Sequence, residues 1–302
     1  MIRLIRSELI KLRTTNMWWI FMLCSLVFIG LALLVNIAQA HQELHVQSWA
    51  TEPPGPGMND EQRAQFLQDQ QAERDRVAQA RTAAGLAQHA ASIYTSGQFF
   101  GLMMVMLLAI LLITNEFYHQ TATATFLATP KRTKVIVAKL ITGAAMALAF
   151  WLVATVIDVI AGSVFFASED VSNSLGNWTA QQAMLLNLLV YALWAIFGIG
   201  IGVLLRSQLG ATITAAVLYT VGTYASLAAL ALIHEFLIKK DWVMQAAVYV
   251  PPLASEHVVG GLSGQLGGVD LPARWVGVVV LVAYAIVLGG IGTLITRKRD
   301  IA

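Results

Sequence analysis

Six stretches of this chain are apolar for long enough to cross a hydrocarbon layer about 30 Å thick, which takes roughly 20 residues of helix. They cover approximately 17–38, 98–114, 139–162, 183–205, 209–233 and 275–296. Between Arg206 and Glu235 the one residue of the Asp, Glu, Lys, Arg and His set is His234, and between Arg274 and Arg297 there is none. Of the 302 residues, 57% are hydrophobic and 12% charged, about half the charged share of a soluble domain. The pattern predicts an all-α membrane protein with six transmembrane helices in one domain, 1–302.

The first apolar stretch follows Arg3, Arg6, Lys11 and Arg13 and ends near Ala38-Gln39-Ala40, which resembles a secretory signal. It is longer than a signal's apolar core and starts late, so it reads as a retained first helix opened by the interface anchors Trp18-Trp19. Cys24, the one cysteine, lies inside it. It has no intrachain partner, and no Cys/His cluster in the sequence suggests a structural metal. Basic residues alternate between the two faces of this topology. One side collects 12 of the 19 Lys/Arg, including Lys131, Arg132, Lys134, Lys139 and Arg206, with only Glu8, Glu116 and Asp300 opposing them. Positive charge stays inside, so both termini are expected in the cytoplasm.

Residues 2–13 carry Ile2, Ile5, Leu9 and Leu12 at gaps of three and four, the spacing of one helical face. The segment reads as an interfacial amphipathic helix touching anionic lipid, or as a basic flank for span one. The long insertion 39–97 is broken by Pro53-Pro54-Gly55-Pro56-Gly57. From Asn59 to about Ala91 it is rich in helix formers, with Asn59 or Asp60 as cap. It is expected to be a solvated helix or helical pair over the pore, or a docking arm for an external partner. Span three holds Asp158, placed about 28 Å from Lys139 and so at the outer interface, as a structural or snorkelling group or as a cavity-lining one. Asn187 in span four suits a helix–helix hydrogen bond. Gly198, Gly200 and Gly202 in span four, and Gly222 with Ala225 in span five, permit close helix approach. Residues 234–274, interrupted at Val250-Pro251-Pro252-Leu253, read as two short re-entrant helices whose broken backbone is buried in protein or lines a cavity, or as a surface loop.

The loop after span two runs from Thr114 to Lys134. Glu116 ends the apolar run. A short helix presenting Phe117, Phe126 and Leu127 could follow until Pro130, before Lys131 and Arg132. On physical grounds this is either a docking loop or a basic connector. At these residues the chain resembles the permeases of the type-2 ABC transporter family. That family's pattern is an acidic residue, a threonine-containing short helix, a proline, an arginine and an Ala-Lys opening the third helix. Here these are Glu116, Thr121, Pro130, Arg132 and Ala138-Lys139. Arg6-Ser7-Glu8-Leu9-Ile10-Lys11-Leu12 is similar to the family's opening helix, and the likeness covers nearly the whole chain. Two departures are the length of 39–97 and Gln120, where many relatives carry glycine.

The resemblance implies a permease subunit in the bacterial cytoplasmic (inner) membrane. It would pair with a second permease chain, expected to be identical, over two copies of a separate ATP-binding subunit. Residues Glu116, Phe117, Thr121, Phe126, Leu127, Pro130 and Arg132 would form the coupling helix. Asp158, Asn187, Pro251 and Pro252 are the candidate pathway or outer-gate residues. The expected cargo is hydrophobic or amphiphilic (a lipid, peptide or drug-like molecule), moved outward. The chain has no G-x-x-x-x-G-K-[ST], so ATP and Mg would belong to the partner and the chain would bind no cofactor itself. It has no H-E-x-x-H or G-x-S-x-G either, which argues against a membrane enzyme, and no nucleic-acid partner is expected. The alternatives are an ion-coupled secondary transporter, which needs polar groups near mid-membrane, and a non-transporting scaffold or sensor subunit.

Overall fold

The computed structural model describes residues 1–119, 132–205, 207–262, 266 and 269–298. In chain order the helices are α1 (Ile2–Thr14), α2 (Met17–Leu44), α3 (Asp60–Ala80), α4 (Ala83–Tyr94), α5 (Gln98–Tyr118), α6 (Arg132–Ser168), α7 (Trp178–Leu205), α8 (Gln208–Leu232), α9 (Asp241–Gln245), α10 (Pro251–Val259) and α11 (Arg274–Lys298). There is no strand among the described residues. Six helical runs are long and apolar enough to cross a membrane, and they coincide with the six predicted spans.

Lipid is as apolar as leucine, so burial alone does not hold such helices together; close packing and hydrogen bonds must. The arrangement is centred on α5 and α7. The run from Leu102 to Ile113 in α5 is buried apart from the half-buried Leu107, as are Tyr191, Trp194 and Phe197 in α7. By contrast, α2 and α8 turn Leu23, Val27, Leu31, Ile213, Val217 and Val221 outward. The glycines of α7 explain how its two neighbours come so near. A Cβ at Gly198 would lie 2.3 Å from the Met106 carbonyl oxygen of α5, and one at Gly202 3.1 Å from that of Ile110. Gly200 lies two residues from each, about 200° round the helix. Its Cβ would meet the Leu288 carbonyl oxygen of α11 at 2.8 Å. A Cβ at Gly222 would meet nothing within 4 Å, so the close packing expected around it in span five is not made among the described residues.

The insertion divides differently from the expectation of one solvated unit. Asn59 does cap α3, with a reciprocal capping box to Gln62, and α3 is mostly solvated. α4 is not: Ala87, Ala90, Ala91, Ile93 and Tyr94 are buried. Its apolar residues are mainly alanines, which look weak in sequence but allow tight contact. Gly162 of α6 accommodates Ile93 and Tyr94, whose side chains would stand 2.7 Å from a Cβ there. Between α4 and α5 the chain turns at Gly97, with φ +70°, a conformation glycine adopts without a Cβ penalty.

Residues 234–274 do form short helices. A π-turn over Ile233–Leu237, then α9, a 3₁₀ turn over Ala246–Tyr249 and α10 follow one another. The prolines occupy the first turn of α10, where a missing N–H costs nothing. Leu253, Ala254, Ser255 and Val258 are fully buried, so α10 is enclosed by protein, as lipid requires of interrupted backbone, whereas Phe236, Leu237 and Trp242 before it are exposed.

The glycine contacts make a direct prediction for thermal unfolding in detergent. Gly198→Ala overpacks the α5–α7 seam and should destabilise the protein by roughly 1–3 kcal/mol. Gly222→Ala should leave the melting temperature unchanged or raise it, since alanine is the better helix former.

Candidate functional site

The most unusual chemistry lies where α1, α5 and α6 meet. Glu8, Glu116 and Lys139 are each less than a tenth exposed, and charged side chains are almost never so buried unless paired. Lys11 Nζ donates to Glu8 Oε1 at 2.8 Å and to Glu116 Oε1 at 2.7 Å. Lys139 Nζ donates to Glu8 Oε2 at 2.7 Å and lies 3.0 Å from Glu116 Oε1. The four groups therefore close an alternating ring of zero net charge, and Lys139 also reaches the Leu112 carbonyl at 3.4 Å. Leu12 and Phe117 pack beside it on the margin of the main core.

Local sequence explains the ring. Ile5, Glu8 and Leu12 fall on one helical face, so the amphipathic face of α1 carries an acid at its centre. Ile2 and Leu9 of the expected apolar stripe point away from the protein instead. Burial raises the carboxyl pKa of Glu8, but Lys139 and Lys11 outweigh it and hold the group below its ordinary value. Burial lowers the pKa of Lys11, yet its bonds to Glu116 and Glu8 leave it raised. Span three was expected to start at Lys139, which is instead a buried group about two turns inside the helix; α6 begins at Arg132 and runs 37 residues, about 55 Å.

Of the expected coupling residues, Glu116 is in the ring, and Phe117 is half-buried against the core. Thr121, Phe126, Leu127 and Pro130 lie outside the described residues, as does the side chain of Arg132, which opens α6. Two of the expected pathway residues, Asn187 and Pro251, meet around Ser255. Asn187 Oδ1 accepts from Gln98 Nε2 at 3.0 Å, the helix–helix bond its position suggested, and that nitrogen also reaches the Ser255 carbonyl at 3.4 Å. Trp194 Nε1 donates to Ser255 Oγ at 2.8 Å, so α5, α7 and α10 are tied together by polar groups. Pro251 accepts from that same hydroxyl at 2.9 Å, and Pro252 is buried.

Asp158 is buried inside the protein, where a snorkelling group would be exposed. It is 1% exposed, and α6 continues past it to Ser168. Its Oδ1 has no hydrogen-bond partner among the described residues. An open cleft of about 1060 Å³ lies instead between α2, the α4–α5 junction, α8 and α10, with Asn36, Gln88, Ser96, Gln98 and Glu256 among its polar walls. Sequence reasoning did not find it, because its residues come from six helices, α2, α3, α4, α5, α8 and α10.

These features define a multi-pass, all-α membrane protein with a buried ionic junction at one end and a polar cleft toward the other. Residues 58–302 match the family described as "Protein of unknown function (DUF2705)", and the chain belongs to that family. No curated protein matches it.

Removing one partner from a buried ionic network costs roughly 3–5 kcal/mol, because the remaining charges stay buried. Glu8→Gln or Lys139→Met should show a loss of that order. Lys11→Ala should cost about 1 kcal/mol or less, since that side chain is 44% exposed and screened. The depressed Glu8 contributes its stability above 4.5, its ordinary value, and loses it as the pH falls through the folded value. The raised Lys11 does the reverse above 10.5. Melting temperature against pH should fall at both limbs, and Glu8→Gln should flatten the acid one.

Proposed function

We propose that this chain is the permease subunit of an ATP-driven transporter of the type-2 ABC kind, coupled to a separate ATP-binding subunit through residues 116–132. The observation that carries the reading is the ion ring. It welds the interfacial helix α1 to the end of α5 and the start of α6, the two helices that segment 120–131 connects. A partner moving that segment would move α1, α5 and α6 together. The cleft supports the same reading, since a polar hollow reaching among apolar helices suits an amphiphilic cargo. The outward apolar rows of α2 and α8 leave surface for lipid and for a second copy of the chain. Both termini then face the cytoplasm, and ATP and Mg stay on the partner.

The test is purification of the full chain from its native membrane in mild detergent, with mass spectrometry of stoichiometric partners. A Walker-motif ATPase should co-purify, and Glu116→Gln together with Arg132→Ala should reduce its recovery at least about tenfold while the chain stays folded. Stable complexes that contain no ATPase would sink the reading.

One observation favours a second reading. Asp158, a buried acid that makes no ion pair among the described residues, is the kind of group that carries a proton in an ion-coupled transporter. Asp158→Asn keeps the shape and removes the titration. On the ABC reading it should leave ATP-dependent transport within about twofold and the fold unharmed, because no counter-charge is orphaned. Transport in vesicles driven by a pH gradient, and abolished by this variant, would establish the second reading instead.

A further inference from the structure

Two histidines and a glutamate from separate elements converge at the end of the molecule opposite the ion ring. His41 lies in the last turn of α2 and His45 is the residue that ends it. A gap of four places them on one face, with ring centroids 4.3 Å apart. Glu169 directly follows α6 and is largely buried. His41 Nδ1 lies 2.6 Å from Glu169 Oε1, and His45 Nε2 lies 3.5 Å from Glu169 Oε2.

The backbone decides the state of His45. Its Nδ1 is 2.9 Å from the His41 carbonyl oxygen, which can only accept, so Nδ1 carries the proton. A neutral His45 then turns the lone pair of Nε2 toward a carboxylate oxygen, one acceptor facing another. A cation between them converts that repulsion into two ligand bonds. The hydrogen bond on the far ring nitrogen is also the contact that orients metal-bound imidazoles. Tetrahedral zinc with ligands at 2.0–2.1 Å keeps its donor atoms about 3.3 Å apart, between the two distances observed. Two imidazoles with one carboxylate favour zinc, copper or nickel over magnesium or calcium. Both rings are about half-exposed, leaving room for water as a further ligand.

We propose that His41, His45 and Glu169 form a binding site for a divalent transition metal of the zinc class, stapling the outer end of α2 to the end of α6. The same stretch of α2 supplies Asn36, Gln39 and Glu43 to the cleft, so the metal fixes one wall of its mouth. The site stands or falls independently of what the protein transports.

The experiment uses the full chain, purified in detergent without a histidine tag and treated with chelator, then titrated with Zn²⁺ against a fluorescent chelator at pH 7.5. One zinc per chain should bind and raise the melting temperature. His41→Ala, His45→Ala and Glu169→Gln should each weaken binding at least about tenfold and remove the zinc-dependent rise. The metal-free melting temperature reports whether each variant is folded, and the more exposed histidines provide two variants that leave the core packing untouched. Absence of stoichiometric binding, or equal affinity in all three variants, overturns the proposal.

Discussion

Two carboxylates and two ammonium groups meet at the junction of α1, α5 and α6, three of the four buried. None of the three buried members could be there alone, since an isolated ion at such a site costs several kcal/mol. Each carboxylate meets both ammoniums, so three helices must arrive together or the ring does not form. A hydrophobic junction would tolerate sliding, whereas an ionic ring fixes register. Lys139 can meet Glu8 and Glu116 at one rotation of α6, and that rotation turns Gly143 toward Ile199 of α7 and Gly162 toward α4. The positions of α4 and α7 against α6 thus follow from the ring.

The remaining cohesion is of the kind a lipid-embedded protein can use. Small residues bring backbones together at Gly198, Gly200 and Gly202, and polar side chains bond where bulky packing would leave gaps. Gln98, Asn187, Trp194 and Ser255 form such a set. They hold α10, whose broken backbone would be intolerable against hydrocarbon, in the protein interior.

How much of this was legible in the sequence depended on the kind of signal. The six spans were, because apolar length is a one-dimensional property. The short helices of 234–274 were too, since Pro251-Pro252 stops one helical turn and starts another helix. Burial of α4 was hidden because alanine contributes little to an apolar pattern yet packs closest. The ring was half visible: Glu8 and Glu116 are two of the three acids on the basic side, but Glu8 meets Lys139 across 131 residues of chain and Lys11 meets Glu116 across 105. The His41–His45 spacing was present in plain view. It carried no weight because the first span was ended at residue 38, whereas α2 continues to Leu44 and keeps both rings on one face. No local pattern announces the third member, Glu169, which is brought there by the far end of α6.

α6 therefore has chemistry at both ends. It contains no proline, and its 37 residues greatly exceed the roughly 20 that the bilayer demands. Lys139 near its start sits in the ring, while Glu169 just past its end meets the histidines of α2. An unbroken helix cannot shorten, so displacement at one end reappears at the other as tilt, shift or rotation. α2 closes the loop mechanically: it follows α1, which the ring grips, and returns to α6 at Glu169. Between these two fixed points, α2 and α6 frame the structure on which the cleft opens. On the permease reading, a push delivered at residues 116–132 would reach the cleft through this frame rather than through the soft packing of α8. The outer junction would then set how far the mouth can open.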